Sequence, residues 1–418
     1  MKKIIIIAII CLAVVIAGCA DRGDQSNTST TVTPTPTASA TATPSAGDDQ
    51  TITDQDIKTS DAPLYRDSVE DSFRELQYRT SIYQDLPAEG DGLRLGIYQA
   101  QADWGEGATA KNLERLADVV NLAKKYDVQL LSFPELYLPG YTLSPDQAKQ
   151  VSEFQDGPSI TRARQIAKDN NMALLVPYGE KADIDGETRY FDSIAVISES
   201  GDLLDSYRKT HLYAQQERDN WSFGESDYPV HSIFGFPVGV INCYEAEFPE
   251  LSRILALNGA KLIVAPTAAD NYYMLTTGER SDVPYPDISE ILVPANAYQN
   301  NLFFAYSNHA GYEKRDGNNW HYRGNSIVAA PNGEILAEAN HEQDTMVIAD
   351  VVPAYIGDTH PEPDYGYLQD RRPELYEALT AGEADFYDDT KNKIVPGTNL
   401  LDGGYTYPLY EGGKEIKQ

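Results

Sequence analysis

Cysteine is nearly missing from this chain: 418 residues hold three, at positions 11, 19 and 243. Basic residues are scarce as well, 33 Lys and Arg against 64 Asp and Glu, for a net charge of −31. Such a surface repels polyanions, which excludes nucleic-acid binding and charge-driven attachment to an anionic membrane. The six histidines and three cysteines form no cluster with metal-ligand spacing, and no glycine-rich loop stands in a phosphate-binding context. Neither a metal nor a cofactor is expected. Long apolar runs are lacking too, since residues 4–17 fall short of the ~20 needed to span a bilayer comfortably. What remains, 41% hydrophobic residues, supports a sizeable core in one large domain or two ordinary ones.

The N-terminus is built like an export signal. Met1-Lys2-Lys3 is a short basic region, residues 4–17 are apolar, and Gly18-Cys19 closes the segment. Ile16-Ala17-Gly18-Cys19 resembles the lipobox of prokaryotic lipoproteins, which implies cleavage before Cys19 and lipid on its thiol. The protein would then sit outside the cell, tethered to a membrane. Cys11 would leave with the signal, so Cys243 would be the only thiol of the mature chain, with no disulfide possible. A lone thiol kept in an oxidising compartment points to chemistry rather than packing.

Residues 20–60 read as an unfolded spacer, in which Thr31 to Ser45 alternates Thr, Pro, Ala and Ser and Gly47-Asp48-Asp49-Gln50 continues the polar run. Residues 61–86 place Val69, Phe73, Leu76 and Tyr83 roughly on one helical face, so 61–90 is read as an accessory helical segment. A folded domain is expected over 91–355 and a C-terminal extension over 356–418.

Within the domain, strands and helices alternate. Strands are expected at 93–100, 128–133, 173–178, 261–266 and 302–308, with helices at 111–126, 159–170, 250–258 and 288–300. Hairpins turn at Asp185-Gly186, Ser200-Gly201-Asp202 and Asn332-Gly333. The alternation implies an α/β fold with helices covering the sheet. Three reactive side chains stand where strands end: Glu135 after Phe133-Pro134, Lys209 after a strand reaching Tyr207, and Cys243 after Val238-Gly239-Val240-Ile241-Asn242. Ligands bind at strand ends in such sheets, so the three could converge. Cys243 sits at an elbow before a helix opened by Pro249, where unpaired N–H groups are expected to favour the thiolate.

The motifs around these residues resemble the nitrilase superfamily of carbon–nitrogen hydrolases. Phe133-Pro134-Glu135-Leu136-Tyr137-Leu138-Pro139-Gly140-Tyr141 is similar to its Glu motif, and Tyr207-Arg208-Lys209-Thr210-His211-Leu212 to its Lys motif. Val240-Ile241-Asn242-Cys243-Tyr244-Glu245-Ala246-Glu247-Phe248-Pro249-Glu250 is similar to its Cys motif. The resemblance runs from about 93 to 376 and implies a four-layer α–β–β–α sandwich of two six-stranded sheets, commonly paired into dimers through an outer helix layer. It implies Glu135, Lys209 and Cys243 as catalytic residues, and Glu217 as the second glutamate of amidase-like members. Asn296 and Gln299 depart from it, standing where relatives often carry charge, and residues 271–286 fall where relatives vary with substrate.

The chemistry implied is hydrolysis of a small carboxamide through a cysteine thioester. Glu135 would move the protons, while Lys209 and the Tyr244 backbone N–H would hold the oxyanion. A nitrilase or an N-carbamoyl hydrolase would use the same residues. His211 offers an alternative base of the papain type, although no Asn or Asp stands out to orient it. Tyr272, Tyr273 and Tyr285 suit a pocket wall. A binding lipoprotein that keeps the fold without the activity is the reading from another class; the presence of all three residues favours the enzyme.

Overall fold

Residues 262–267, Leu-Ile-Val-Ala-Pro-Thr, are buried at all six positions. An unbroken apolar run of that length belongs to a strand covered on both faces. The computed structural model describes residues 76–274, 280–315, 318–341, 344–356, 366–380, 409–411 and 414–416, all within one unit spanning 50–418. The leader 1–19, the linker 20–60 and much of the 356–418 extension lie outside the described residues.

Two sheets form the centre. One runs in the order β1 (Gln77–Ser81), β17 (Thr345–Val351), β2 (Leu93–Gln99), β3 (Leu130–Ser132), β4 (Ala173–Ile184), β5 (Glu187–Ile197) and β6 (Leu203–Arg208). The other runs β16 (Ile335–Glu338), β15 (Ile327–Ala329), β12 (Phe303–Asn308), β9 (Leu262–Thr267), β8 (Phe236–Val240) and β7 (Val230–Ile233). Two hairpins stand apart, β10 (Tyr272–Met274) with β11 (Arg280–Pro284) and β13 (Tyr312–Arg315) with β14 (Asn318–His321).

Side chains alternate across each strand, so each sheet offers one face to its partner and one to helices. Leu95, Leu175 and Val196 of the first sheet meet Val238, Val264 and Phe303 of the second in one buried cluster. On the first sheet's other face, Leu116 and Val120 of α1 (Ala108–Ala123) and Ile160 and Ile166 of α3 (Pro158–Asn170) share a cluster with Leu174 and Val176. On the second sheet's other face, Leu255 of α5 (Pro249–Leu257) and Val293 of α6 (Ile288–Asn300) share one with Ile263 and Phe304. The result is the expected α–β–β–α sandwich. Two short helices, α2 (Pro145–Val151) and α4 (Ala214–Asn220), lie in the connections that follow the Glu135 and Lys209 loops.

The accessory helix is a correction. Residues 77–81 form β1, parallel to β17, with Gln77 opposite Thr345 and Ser81 opposite Ala349. Leu76, Tyr78 and Thr80 are buried and the residues between them half-buried. That period of two belongs to a strand; the helical spacing read through Leu76 and Tyr83 is coincidental, since Tyr83 is exposed. β1 also makes the first sheet seven-stranded rather than six. The remainder of the helical reading, 61–75, lies outside the described residues.

Candidate active site

Glu135, Lys209 and Cys243 come from three different strand ends, and the sandwich brings those ends together. Glu135 follows β3, and its backbone N–H donates to the Thr267 carbonyl of β9 at 3.3 Å, tying the two sheets together at the site. His309, just past β12, donates its Nε2 proton to the Glu135 carbonyl at 2.6 Å. Burial lowers the His309 pKa and keeps the ring a neutral donor.

Lys209 is the hub. Its Nζ donates to Glu135 Oε1, and to Glu217 at 2.9 and 2.8 Å through the two carboxylate oxygens. It also lies 3.7 Å from Asp192. Burial alone would lower its pKa, but Glu135 and Glu217 outweigh that and hold it well above the usual lysine range. Oxygens of Glu135, Asp192 and Glu217 lie within 4.8 Å of one another, a donor set that could hold a metal ion; the Lys209 ammonium is the cation among them. Glu217 stands where the second glutamate was expected. It accepts from Tyr141 Oη at 2.7 Å and from the Tyr213 N–H at 2.7 Å. Burial raises its pKa against the pull of Lys209.

Asp192 escaped the sequence reading. It sits within β5, its backbone carbonyl accepts the Lys209 N–H at 2.9 Å, and its Oδ1 accepts from Asn242 Nδ2 at 3.0 Å. Burial, then the Glu135 charge, push its pKa well above the usual carboxylate value. Among the described residues, Glu135 Oε2 and Asp192 Oδ2 have no hydrogen-bond partner. The only sequence signal was an acid in the apolar run Asp192-Ser193-Ile194-Ala195-Val196.

Cys243 occupies a left-handed backbone conformation, φ 50°, at the elbow after β8. Such a conformation costs a non-glycine residue of the order of 1–3 kcal/mol and gathers at functional sites. The helix that follows is a 3₁₀ turn, Cys243–Glu247, with α5 beginning after it at Pro249. The expectation of a field-stabilised thiolate is corrected: burial and the Glu135 charge push the Cys243 pKa well up, with Lys209 and the Ala268 N–H only partly opposing them. The resting group is a thiol beside a carboxylate. Tyr244 is the second residue of the turn, where N–H groups have no acceptor within the helix.

Glu245 locks the elbow to the lysine loop. One oxygen accepts from Tyr207 Oη and the Asn242 N–H, both at 2.7 Å; the other accepts from the Thr210 N–H at 2.6 Å and the His211 N–H at 3.2 Å. Burial works to raise its pKa, but the His211, Thr210 and Tyr207 side chains and the Asn242 N–H lower it on balance. His211 faces this glutamate (Nδ1 to Oε1, 3.9 Å) and stacks on Phe248 at 4.5 Å. With its ring engaged by Glu245 and Phe248, it is less suited than Glu135 to serve as the base. Asn296 serves the same elbow, donating to the Ala246 carbonyl at 2.9 Å.

The thiol opens into a pocket whose volume is about 30 Å³, room for two or three waters at ~10–15 Å³ each. Tyr141, Ala268, Tyr272, Tyr285, Tyr306 and Trp320 are among its lining residues. Tyr272 and Tyr285 are therefore wall, as expected; the Tyr273 side chain lies outside the described residues. Glu313, on β13, accepts from the backbone N–H groups of Tyr141 and Thr142 at 3.2 and 2.8 Å and so fixes the loop that brings Tyr141 to Glu217.

Residues 94–361 match the carbon-nitrogen hydrolase family. A protein described as "hydrolase in pqqF 5′ region" from Pseudomonas protegens is 35% identical over 288 residues, 69% of this chain and 92% of the relative. An (R)-stereoselective amidase from a Pseudomonas species is 29% identical, covering 70% of this chain and 96% of that one. Among solved structures, an amidase from a Nesterenkonia species superposes with a TM-score of 0.56 at 30% identity, covering 71% of this chain and all of the other. A variant of the Nesterenkonia amidase carries the acetamide moiety of fluoroacetamide covalently at its active-site cysteine (TM-score 0.53, 28% identity, 71% and 99% covered). The chain belongs to the carbon–nitrogen hydrolase family and is a cysteine-dependent hydrolase of non-peptide carbon–nitrogen bonds.

Proposed function

We propose that the protein hydrolyses small primary carboxamides to carboxylate and ammonia, with Cys243 as nucleophile, Glu135 as the proton carrier and Lys209 as the fixed cation. The observation that carries this reading is Lys209 held by Glu135 and Glu217 beside a thiol that opens into a narrow pocket. The Cys243 thiol passes its proton to Glu135 as sulfur bonds the carbonyl carbon. The oxygen gains negative charge facing Lys209 and the Tyr244 N–H. Glu135 returns the proton to nitrogen, the carbon–nitrogen bond breaks and ammonia leaves a thioester. Water then gives a proton to Glu135 and attacks; the carbon–sulfur bond breaks and the thiol re-forms. One such donor is worth ~2.7–4 kcal/mol in the transition state. Glu217 keeps Lys209 charged and aimed.

The test is ammonia and carboxylate release from the full chain across primary amides, nitriles and N-carbamoyl compounds, beside Cys243→Ala. Amide turnover abolished by Cys243→Ala with an unchanged melting temperature is expected, because the change removes a nucleophile and little volume. Activity surviving in the variant overturns the thiol mechanism. The lipobox-like segment ending at Cys19 supports a surface-tethered enzyme. Exposed Ile254, Leu257 and Ile291 on α5 and α6 support pairing into a homodimer through that layer.

A further inference from the structure

The loop that carries Glu135 also carries Tyr141, and both act on Lys209. Glu135 touches the ammonium itself, while Tyr141 Oη donates to Glu217 Oε1 at 2.7 Å, the same oxygen that accepts from Lys209 Nζ at 2.9 Å. Two left-handed residues, Leu136 at φ 47° and Gly140 at φ 84°, turn the chain between them. A Cβ at Gly140 would meet the Trp104 Cβ at 3.0 Å and the Asp103 carbonyl at 3.2 Å, so the turn fits closely. Asn112 Nδ2 donates to the Leu138 carbonyl at 3.0 Å and holds the middle of the loop.

The far end rests on Glu313, a carboxylate only 1% exposed. Its Oε1 accepts the Tyr141 N–H at 3.2 Å; its Oε2 accepts the Thr142 N–H at 2.8 Å and Thr142 Oγ1 at 2.7 Å. Glu313 is paired with Trp320 across the β13–β14 hairpin, which puts both side chains on one side of it. Trp320 meets the Tyr141 ring edge-on at 5.5 Å, and Tyr322, just past the hairpin, meets it at 6.4 Å. One hairpin thus holds both the backbone and the ring of Tyr141. Tyr141 and Thr142 are themselves buried. Without the Glu313 acceptor their N–H groups would be stranded away from water, and turning outward to reach it would draw Tyr141 Oη off Glu217. The Glu217 charge depends on its donors: burial and then Glu135 raise its pKa, and the Lys209 and Tyr141 donors oppose them.

Resting on the amidase reading above, we propose that Glu313 is a positioning residue for the hydrolysis: it holds Tyr141 on Glu217, and Glu217 so held keeps Lys209 aimed at the oxyanion. A double-mutant cycle with the full chain tests this. Glu313→Gln sets an amide N–H against the donors of the loop. Its kcat for a primary amide should fall roughly 10- to 100-fold with KM little changed, a displacement of about 1 Å costing up to that much. Tyr141→Phe removes only the hydroxyl and should lose a similar factor. The double variant should match the worse single one within about twofold, because both act through one bond. Amide and activated ester should lose alike, since both build an oxyanion. A glutamate that only supported the fold would lower kcat through the fraction of folded enzyme, and its loss would multiply with that of Tyr141→Phe. Multiplying losses, or wild-type kcat in Glu313→Gln, overturns the proposal and leaves the amidase reading standing. Circular dichroism and the melting temperature check the fold. If Glu313→Gln does not fold, Thr142→Ala takes its place in the cycle, since it removes only the Oγ1 bond to Glu313. Its loss of about threefold, the worth of one hydrogen bond, should vanish in the Tyr141→Phe background; a loss that persists there, or none at all, overturns the proposal. No ammonia from any amide, with the wild-type chain folded, overturns both readings.

Discussion

Three carboxyls and a thiol share the buried space around one ammonium, so proton placement decides what each residue can do. Glu135 touches Lys209, and its charge helps to raise the Asp192 pKa. Glu135→Gln cannot take a proton in either half-reaction. Single-turnover acylation should slow by roughly 10²–10⁴-fold, the usual worth of positioned acid–base catalysis. It should slow even with an activated ester, whose good leaving group removes the need for an acid but not for a base. Lys209→Ala should hurt ester and amide about equally, because both build an oxyanion. Mass spectrometry of the acyl-enzyme measures both; a Glu135→Gln enzyme acylating and deacylating at near wild-type rates would sink this assignment.

Asp192 separates two roles by isostere. Burial and the Glu135 charge raise its pKa, which favours the neutral form that Asn mimics, and Asp192→Asn should keep activity within roughly tenfold. Asp192→Ala strands Asn242 Nδ2, which donates to Asp192, and should lose about 1–3 kcal/mol of stability, the cost of an unsatisfied buried group. Urea unfolding and kcat for the pair check this. An Asn variant as impaired as Glu135→Gln would mean that Asp192 works ionised.

At the scale of elements, the site depends on turns held to one another. Glu245 joins the lysine loop to the cysteine elbow through bonds from Tyr207, Thr210, His211 and Asn242. Gln would place a donor where an acceptor is needed. Glu245→Gln should therefore cost about 2–4 kcal/mol and lower kcat more than it raises KM. The sign with pH follows from its depressed folded pKa. The stabilisation is present above the unfolded value of 4.5 and is lost as pH falls through the folded one. The variant should lack that part of the acid limb; identical acid limbs for the two proteins would rule the clamp out. The hairpins at Asp185-Gly186 and Asn332-Gly333 and the helix Ile288–Asn300 were legible because turn chemistry and spacing are local. The strand β1 was not. Its partner β17 lies about 270 residues along the chain, and no local pattern reports a pairing that distant. Glu135, Lys209 and Cys243 were legible from their motifs, whereas Asp192, Glu245 and Glu313 acquire their roles only when separate loops meet.

At the scale of the whole molecule, the catalytic sandwich and the segment proposed to anchor it lie far apart in the sequence. The described fold starts at residue 76 and the family match at 94, while the lipobox-like residues end at Cys19. Residues 31–45 between them alternate Thr, Pro, Ala and Ser, the composition read above as a spacer. A lipid on Cys19 would therefore set where the enzyme works without altering what it does. A single chain holds a protein only marginally, but a diacylated N-terminus adds ~0.8 kcal/mol for each buried CH₂ and holds firmly. Cys19→Ala removes the attachment point, and the released enzyme should keep the wild-type kcat/KM while moving from the membrane pellet to the soluble or medium fraction. Fractionation followed by an ammonia-release assay reads both halves of that statement. A variant that stays in the pellet, resistant to salt and extracted only by detergent, would show that residues 4–17 hold the membrane as an uncleaved anchor instead.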